Sequence, residues 1–137
     1  DGPLKIGGDY VPVLHLGDQV YISGQIPRVN DTVVLPGRVG ENVSLADAQT
    51  AAKISTLRCL KLLSESLGSL DAVKGIARIN VFVQSAADFT QQSEVANGAS
   101  AILQEVLGEA GKHTRTSVGV YQLPKNAAVE IDLIAVV

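Results

Sequence analysis

Residues 113–137 have the sequence HTRTSVGVYQLPKNAAVEIDLIAVV, and this stretch decides the fold because it predicts two β-strands joined by a turn. The second strand, Val129 to Val137, places apolar side chains on one face and begins the other face with Glu130 and Asp132. The segment 123–126, Leu-Pro-Lys-Asn, supplies the turn, because a proline interrupts the interior of a strand.

The first of the two strands, His113 to Tyr121, also has two different faces. Val118 and Val120 lie on one face, and the other face carries Arg115, Ser117 and Tyr121. Each strand therefore offers an apolar side to a core, and we expect Arg115 and Glu130 on the same non-core face of neighbouring strands. An arginine presented in this way can bind a small carboxylate, because its planar guanidinium offers parallel N–H donors.

The rest of the chain alternates strand and helix patterns. Strands are predicted at 10–16, 19–26 and 76–83, with a short one near 32–35 inside the loop 28–42. Capping patterns at Ser44 and Ser85 predict helices that run to about Leu67, closed by Gly68, and to about Leu107. This order predicts an α+β domain with two amphipathic helices on one face of a mixed sheet of four to six strands.

Composition limits the class of protein. The 137 residues are 46% hydrophobic, which suffices for one domain spanning residues 1–137. A net charge of −3 and a pI of about 5.2 argue against a nucleic-acid partner. No run approaches the length of a membrane span, the start shows no signal-peptide pattern, and the single cysteine, Cys59, makes no internal disulfide. We expect a cytoplasmic protein with no membrane partner. Because the chain contains no Met, a removed leader stays open as an alternative.

Several segments together resemble the YjgF/RidA family, the reactive-intermediate deaminases. The C-terminal segments are Arg-Thr-Ser-Val-Gly-Val at 115–120, Leu-Pro-Lys at 123–125 and Val-Glu-Ile at 129–131. The N-terminal ones are Gly-Asp-Tyr-Val at 8–11 and Tyr-Ile-Ser-Gly-Gln-Ile-Pro at 21–27, and a weaker one is Val-Phe-Val at 81–83 with Asp-Phe at 88–89. The resemblance covers the whole chain. It implies the chorismate mutase-like YjgF fold and a homotrimer with clefts between subunits.

The resemblance also implies roles for individual residues. Arg115 would bind a substrate carboxylate and Glu130 would hold the water used in hydrolysis, while Tyr10, Ser23 and Ser117 would line the cleft. Four of them have a plainer interpretation: a surface ion pair for Arg115, a solvated carboxylate for Glu130, a strand-edge aromatic for Tyr10, and a turn or packing residue for Ser23.

The chain departs from the family pattern at three places. Ser117 stands where the best-known deaminases have cysteine, Ser93 aligns with their asparagine near the start of the second helix, and the loop 28–42 is longer than in compact members. These departures bear on the substrate more than on the fold.

The resemblance implies an enzyme that hydrolyses enamine or imine acids, such as 2-aminoacrylate or 2-iminopropanoate, to 2-oxo acids and ammonia. No cofactor is needed because the substrate is already electrophilic, and His15, His113 and one cysteine make no metal-binding pattern. We expect Cys59 to be a packed core thiol. Two alternatives stay open: a non-catalytic carboxylate-binding regulatory trimer, and a ribonuclease, against which the acidic pI and the lack of paired histidines count.

Overall fold

A five-stranded mixed sheet forms the centre of the protein. The structure is a computed structural model that describes residues 8–137; residues 1–7, where the sequence shows no signal-peptide pattern, lie outside it. The sheet has the order β1-β2-β7-β5-β6. Its strands are β1 Val13–Leu16, β2 Gln19–Gln25, β5 Gly75–Gln84, β6 His113–Val120 and β7 Val129–Val136. The loop 28–42 contains a separate hairpin of β3 Arg28–Val29 and β4 Thr32–Val33, which confirms a short strand there.

The last two strands of the chain are not neighbours in the sheet. β5 lies between them, parallel to β6 and antiparallel to β7, and the turn Pro124–Asn126 carries the chain across its end. Ile79, Val81 and Val83 of β5 are fully buried, so this apolar strand occupies the centre while β6 becomes an edge. The expectation that the strands containing Arg115 and Glu130 are neighbours was therefore wrong.

Two helices cover one face of this sheet, as predicted. α1, Leu45–Leu67, packs on β7 and β2, and α2, Gln92–Leu107, packs on β6 and β5. Ser44 caps α1 because its Oγ accepts a hydrogen bond from the backbone N–H of Asp47 at 3.1 Å. Gly68 ends the helix in the left-handed region at φ 80°, which a glycine adopts without strain. Both predicted ends of α1 are confirmed.

The predicted start of α2 near Ser85 was wrong by about two turns, because the helix begins at Gln92. Ser85 instead prolongs the path of β5 and bridges to Val39, and its hydroxyl donates to the carbonyl of Val83 at 2.8 Å. A hydroxyl engaged with its own strand does not cap a helix. Phe89, which the helical pattern included, lies in the turn before α2.

Two β-bulges shift the predicted faces of their strands. In β2, Ser23 and Gly24 together stand opposite a single position of β7, so Gln25 turns to the buried face although alternation placed it on the other. In β5, Ala77 is the extra residue and is exposed, whereas Ile76 is buried. Strict alternation fails at these points because a bulge inserts one residue out of phase.

Gly98 in α2 allows close packing against α1. A Cβ at Gly98 would lie 2.5 Å from the carbonyl oxygen of Gln49. The side chain of Gln49 also donates to the carbonyl of Glu94 at 2.8 Å. The two helices are thus locked side by side, which fixes α2 above β6.

The helix-covered face and the open face of the sheet differ in composition. Val129, Ile131, Leu133 and Ala135 of β7 are buried beneath the helices, as predicted. The open face carries Glu130, Asp132 and Ile134 of β7 with Phe82 and Asn80 of β5. None of the helices within residues 8–137 is long and apolar enough to cross a membrane.

Candidate functional site

The predicted site residues fall into two groups on opposite faces of the sheet. Arg115 and Ser117 pair in register with Ile79 and Val81 of β5, which are buried under the helices. Glu130 pairs with Phe82 on the open face. The prediction that Arg115 and Glu130 share a non-core face was therefore wrong. Strand spacings place their Cα atoms roughly 14 Å apart, with the side chains pointing away from each other.

The physical reason lies in α2. This helix presents Ser93, Asn97 and Ser100, spaced at four and three residues, on the side that meets β6. A polar helix face accommodates an arginine where an apolar one would exclude it, so the polar side of β6 turns inward. Val118, which was assigned to the core side, lies on the other face and is 41% exposed.

The first group, which we call the glutamate cluster, consists of Tyr10, Ser23, Gly24, Glu130 and Asp132. These residues line an open depression of about 530 Å³ on the open face, together with Tyr21, Ile22, Leu133 and Ile134. The bulge in β2 brings Gly24 so close to Glu130 that a Cβ at Gly24 would collide with Oε2 of the carboxyl. Gly24 is therefore required by the position of Glu130, and not only by the turn of the chain.

Tyr10 and Ser23 reach the depression from the N-terminal side. The hydroxyl of Ser23 donates to the carbonyl of Val11 at 2.8 Å, and its backbone N–H donates to the carbonyl of Pro12 at 2.9 Å. Ser23 thereby fastens the segment that carries Tyr10, whose side chain is half-exposed at 51%. The structure thus brings Tyr10, Ser23 and Glu130 together, as the sequence suggested, and adds Asp132.

The electrostatics of the glutamate cluster favour proton uptake. Burial raises the pKa of Glu130, and the nearby negative charge of Asp132 raises it further. Burial also raises the pKa of Asp132, opposed by a hydrogen bond from Nδ2 of Asn80 at 2.8 Å and by the charge of Arg78. Of the two carboxyls, Glu130 has no such stabilising partner among residues 8–137 and is the better candidate for exchanging protons with a ligand.

The second group, the arginine cluster, consists of Ser93, Asn97, Ser100, His113 and Arg115. Nη1 of Arg115 donates to Oδ1 of Asn97 at 2.8 Å and to Oγ of Ser100 at 3.0 Å. Nη2 donates to Oγ of Ser93 at 2.8 Å and to its carbonyl at 3.3 Å. These four acceptors hold the guanidinium plane in one orientation on the α2 side of β6.

All four acceptors of Arg115 are uncharged. Among residues 8–137, no carboxylate forms an ion pair with this guanidinium, whereas Arg28, Arg38 and Lys112 each have one. Nε is the guanidinium nitrogen that donates to no acceptor within the described residues. An oriented and electrically uncompensated arginine is suited to bind an anion. Ser117 follows two residues later on the same face, beside this group.

Sequence reasoning missed Asn97 and Ser100 as site residues. The family comparison pointed to Ser93 as the counterpart of an asparagine, but the structure shows that Asn97 supplies the amide contact to Arg115 and that Ser93 adds its hydroxyl. The signal was present in the spacing of Ser93, Asn97 and Ser100, which places three polar side chains on one helix face. The adjacent Gly98 obscures this pattern, because an Asn-Gly pair lowers the helix propensity of the segment.

Cys59 and His15 lie apart from both clusters. Cys59 is fully buried, its thiol donates to the carbonyl of Ile131 at 3.6 Å, and burial raises its pKa, so it is the packed core thiol that was predicted. His15 is on β1 and His113 on β6, the two opposite edges of the sheet. No three metal-binding side chains converge anywhere in residues 8–137.

Curated relatives cover nearly the whole chain. Protein TCP17 of Trypanosoma cruzi is 42% identical over 125 residues, which are 90% of this chain and 78% of that protein. TdcF of Escherichia coli K12, whose name carries the words reactive intermediate deaminase, is 33% identical over 94% of this chain and 87% of its own. The 2-iminobutanoate/2-iminopropanoate deaminase of Dermatophagoides farinae is 30% identical over 95% of this chain and 87% of its own.

Solved structures share the fold. Atu1372 of Agrobacterium tumefaciens, a protein of unknown function, superposes with a TM-score of 0.92 at 40% identity, covering 93% of this chain and 82% of that one. E. coli TdcF, solved with bound serine, gives a TM-score of 0.66 at 30% identity, covering 96% and 91%. The profile of the family described as Endoribonuclease L-PSP matches residues 3–137. Sequence, fold and relatives therefore agree that this chain belongs to that family, the YjgF/RidA family.

Proposed function

We propose that the protein hydrolyses small enamine and imine acids, of the 2-aminoacrylate and 2-iminopropanoate type, to 2-oxo acids and ammonia. The observation that carries this proposal is that the two clusters supply the two groups which this reaction needs. One holds an uncompensated guanidinium for a carboxylate, and the other holds a half-buried carboxyl whose pKa is raised. The name of the Dermatophagoides relative and the serine bound to TdcF, itself a small carboxylate, support this choice of substrate.

The proposal requires a second copy of the chain. A substrate of a few carbon atoms cannot contact Arg115 and Glu130 of one chain, since they point away from opposite faces of the sheet. We propose a homotrimer in which the arginine cluster of one subunit faces the glutamate cluster of the next. Two different surface patches that meet head to tail close into a ring, and the family resemblance implies a ring of three. The apolar side chains of Phe82 and Ile134 on the open face would be buried by such an assembly.

Each residue then has a chemical task. Arg115 binds the substrate carboxylate and so places the imine carbon beside Glu130. 2-Aminoacrylate gains a proton on its methylene carbon and loses one from its nitrogen, which gives 2-iminopropanoate. Glu130 takes a proton from water as the oxygen adds to the imine carbon and passes it to the nitrogen, so that a carbinolamine forms. Glu130 then takes the proton of the new hydroxyl and gives it to the nitrogen as the carbon–nitrogen bond breaks, which leaves the 2-oxo acid and ammonia. The raised pKa of Glu130 suits a group that must both accept and return a proton near neutral pH.

Tyr10, Ser23 and Ser117 have supporting tasks in this scheme. Tyr10 covers the depression beside Glu130, and Ser23 holds the Tyr10 segment in place through its bond to Val11. Ser117 lies next to Arg115 and would border the substrate carboxylate. No cofactor takes part, because the imine carbon is electrophilic without one. Enamines of this kind arise from pyridoxal-phosphate enzymes, so the proposed role is damage control in the cytoplasm.

A carboxylate-binding protein without catalysis is the second candidate. It is favoured by one observation: the arginine cluster is complete within a single chain, whereas the proposed chemistry needs a partner. A ribonuclease is disfavoured by the acidic pI and by the separation of the two histidines at opposite sheet edges.

The test is ammonia release from 2-aminoacrylate generated in situ, with and without the protein. Wild type should exceed the uncatalysed rate, and Glu130→Gln should lose turnover while it still binds a stable analogue such as pyruvate. Glu109→Gln, which changes an exposed glutamate paired with Lys112, is the matched control and should keep wild-type activity. Wild-type protein that binds pyruvate but never exceeds the uncatalysed rate would point to the binding protein instead.

A further inference from the structure

A continuous chain of hydrogen bonds begins at Nη1 of Arg115. Nη1 of Arg115 lies 3.0 Å from Oγ of Ser100, and Oγ lies 2.8 Å from Nε2 of His113. Nδ1 of His113 lies 2.7 Å from the carbonyl oxygen of Gly111. Four groups from α2, β6 and the turn between them are therefore linked in a single line.

The donors in this chain are fixed by chemistry. A carbonyl oxygen only accepts, so Nδ1 of His113 carries the hydrogen that binds Gly111. Arg115 only donates, so Oγ of Ser100 accepts from Nη1 and directs its own hydrogen to Nε2 of His113. In a neutral imidazole, these bonds select the Nδ1–H tautomer.

The far end of the chain is rigidly anchored. Gly111 is buried so tightly that a Cβ there would collide with the carbonyl oxygen of Leu103 in α2. Its carbonyl therefore offers a fixed acceptor, and the ring of His113 is held at both nitrogens. A histidine fixed in this way orients the hydroxyl of Ser100 in turn.

We infer that His113, acting through Ser100, is a positioning residue that holds the Arg115 guanidinium for the substrate carboxylate. Because Nη1 is committed to Ser100 and Asn97, and Nη2 to Ser93, the anion would meet the guanidinium at Nε. This inference rests on the proposed function, in which Arg115 binds a carboxylate. Positioning residues improve a site by holding its contacts within a fraction of an ångström of the productive geometry.

The experiment compares two substitutions at His113 that introduce side chains of similar size. His113→Gln keeps an acceptor near the place of Nε2, whereas His113→Leu fills the space without one. Loss of one neutral hydrogen bond should raise KM about threefold to tenfold in His113→Leu, with kcat changed much less. His113→Gln should restore most of the loss. Ser100→Ala should resemble His113→Leu, and the double variant should be no worse than either, because both break the same chain.

A second readout is independent of activity. Nitrogen-15 NMR of the wild-type protein, at a pH where the imidazole is seen to be neutral, should show the Nδ1–H tautomer, and binding of pyruvate should leave that tautomer unchanged. An Nε2–H tautomer, or a wild-type KM in His113→Leu, would overturn the positioning role even if imine hydrolysis is confirmed. If wild type hydrolyses no imine, the tautomer and the affinity of these variants for pyruvate still decide whether the chain orients Arg115.

Discussion

Replacing Arg115 with alanine removes the residue on which the proposed substrate recognition depends. The side chain makes four hydrogen bonds to uncharged acceptors on α2, between 2.8 and 3.3 Å long. It also carries the positive charge that the substrate carboxylate would meet. The substitution should therefore affect both catalysis and stability.

The expected catalytic loss follows from the hydrogen bond that Nε of Arg115, free among residues 8–137, can give the carboxylate. A hydrogen bond to a charged group contributes about 1.5–3 kcal/mol. A loss of that size corresponds to a fall in kcat/KM of about tenfold to a hundredfold. Arg115→Lys should fail nearly as badly, since lysine keeps the charge but not the planar fork.

The expected loss of stability follows from the contacts of Arg115 with α2. A strand arginine facing a water-filled cleft would contribute little, but this one ties β6 to Ser93, Asn97 and Ser100 of α2. We expect Arg115→Ala to lower the free energy of unfolding by about 1–3 kcal/mol, which lowers the melting temperature by several degrees. Kinetics should therefore be measured at 25 °C, with circular dichroism confirming that the variant is folded.

The assay is the rate of ammonia release from 2-aminoacrylate, compared with that of Lys112→Ala. Lys112 is exposed and paired with Glu109, so its loss removes one positive charge near β6 without touching the site. The control should keep wild-type kcat/KM. A folded Arg115→Ala protein with unchanged imine hydrolysis would refute the assignment of Arg115 as the carboxylate anchor.

Three further predictions follow from single contacts. Gly24→Ala should abolish turnover in a folded protein, because its Cβ would displace the carboxyl of Glu130; enzyme activity beside a wild-type circular dichroism spectrum tests this, and full activity would contradict it. The folded state holds Glu130 and Asp132 with raised pKa values and so binds more protons than the unfolded chain, which means that stability falls as pH rises through those values. The urea midpoint of the wild-type protein should therefore fall between about pH 4 and 7, and it should fall less in the double variant Glu130→Gln/Asp132→Asn. An equal fall in both proteins would refute the contribution of these two carboxyls. Gly98→Ala should lower the melting temperature, because overpacking against the backbone of Gln49 costs about 1–3 kcal/mol and exceeds the helical gain of about 1 kcal/mol, whereas Gly75→Ala, with open space around it, should change little.

The helix layer and the sheet could be predicted from the sequence because each depends on a local pattern of residues. Ser44 and Gly68 bound α1 through capping contacts that involve only near neighbours. The buried face of β7 follows from simple alternation. Ser85 shows the limit of such patterns, because its hydroxyl had a competing acceptor in its own strand that the capping rule does not weigh.

The arrangement of the site was less accessible, because it depends on contacts between distant segments. Alternation gives the two faces of β6 but not which one turns toward the helices, and the polar side of α2 decided that for Arg115. The bulge at Ser23 and Gly24 likewise depends on pairing with β7, yet it is what places Gly24 against Glu130. Residue identities could be proposed from the family resemblance, but their separation onto two faces could not.

The central claim is that Arg115 and Glu130 act on one substrate from different subunits, and complementation between two inactive variants tests it most directly. Arg115→Ala and Glu130→Gln chains, each inactive alone, would be unfolded, mixed in equal amounts and refolded together, with light scattering to confirm a trimeric mass. If each site takes Arg115 from one subunit and Glu130 from the next, random assembly makes about a quarter of the sites complete, and about a quarter of wild-type activity should return. A mixed trimer that stays as inactive as its parents would contradict the shared site.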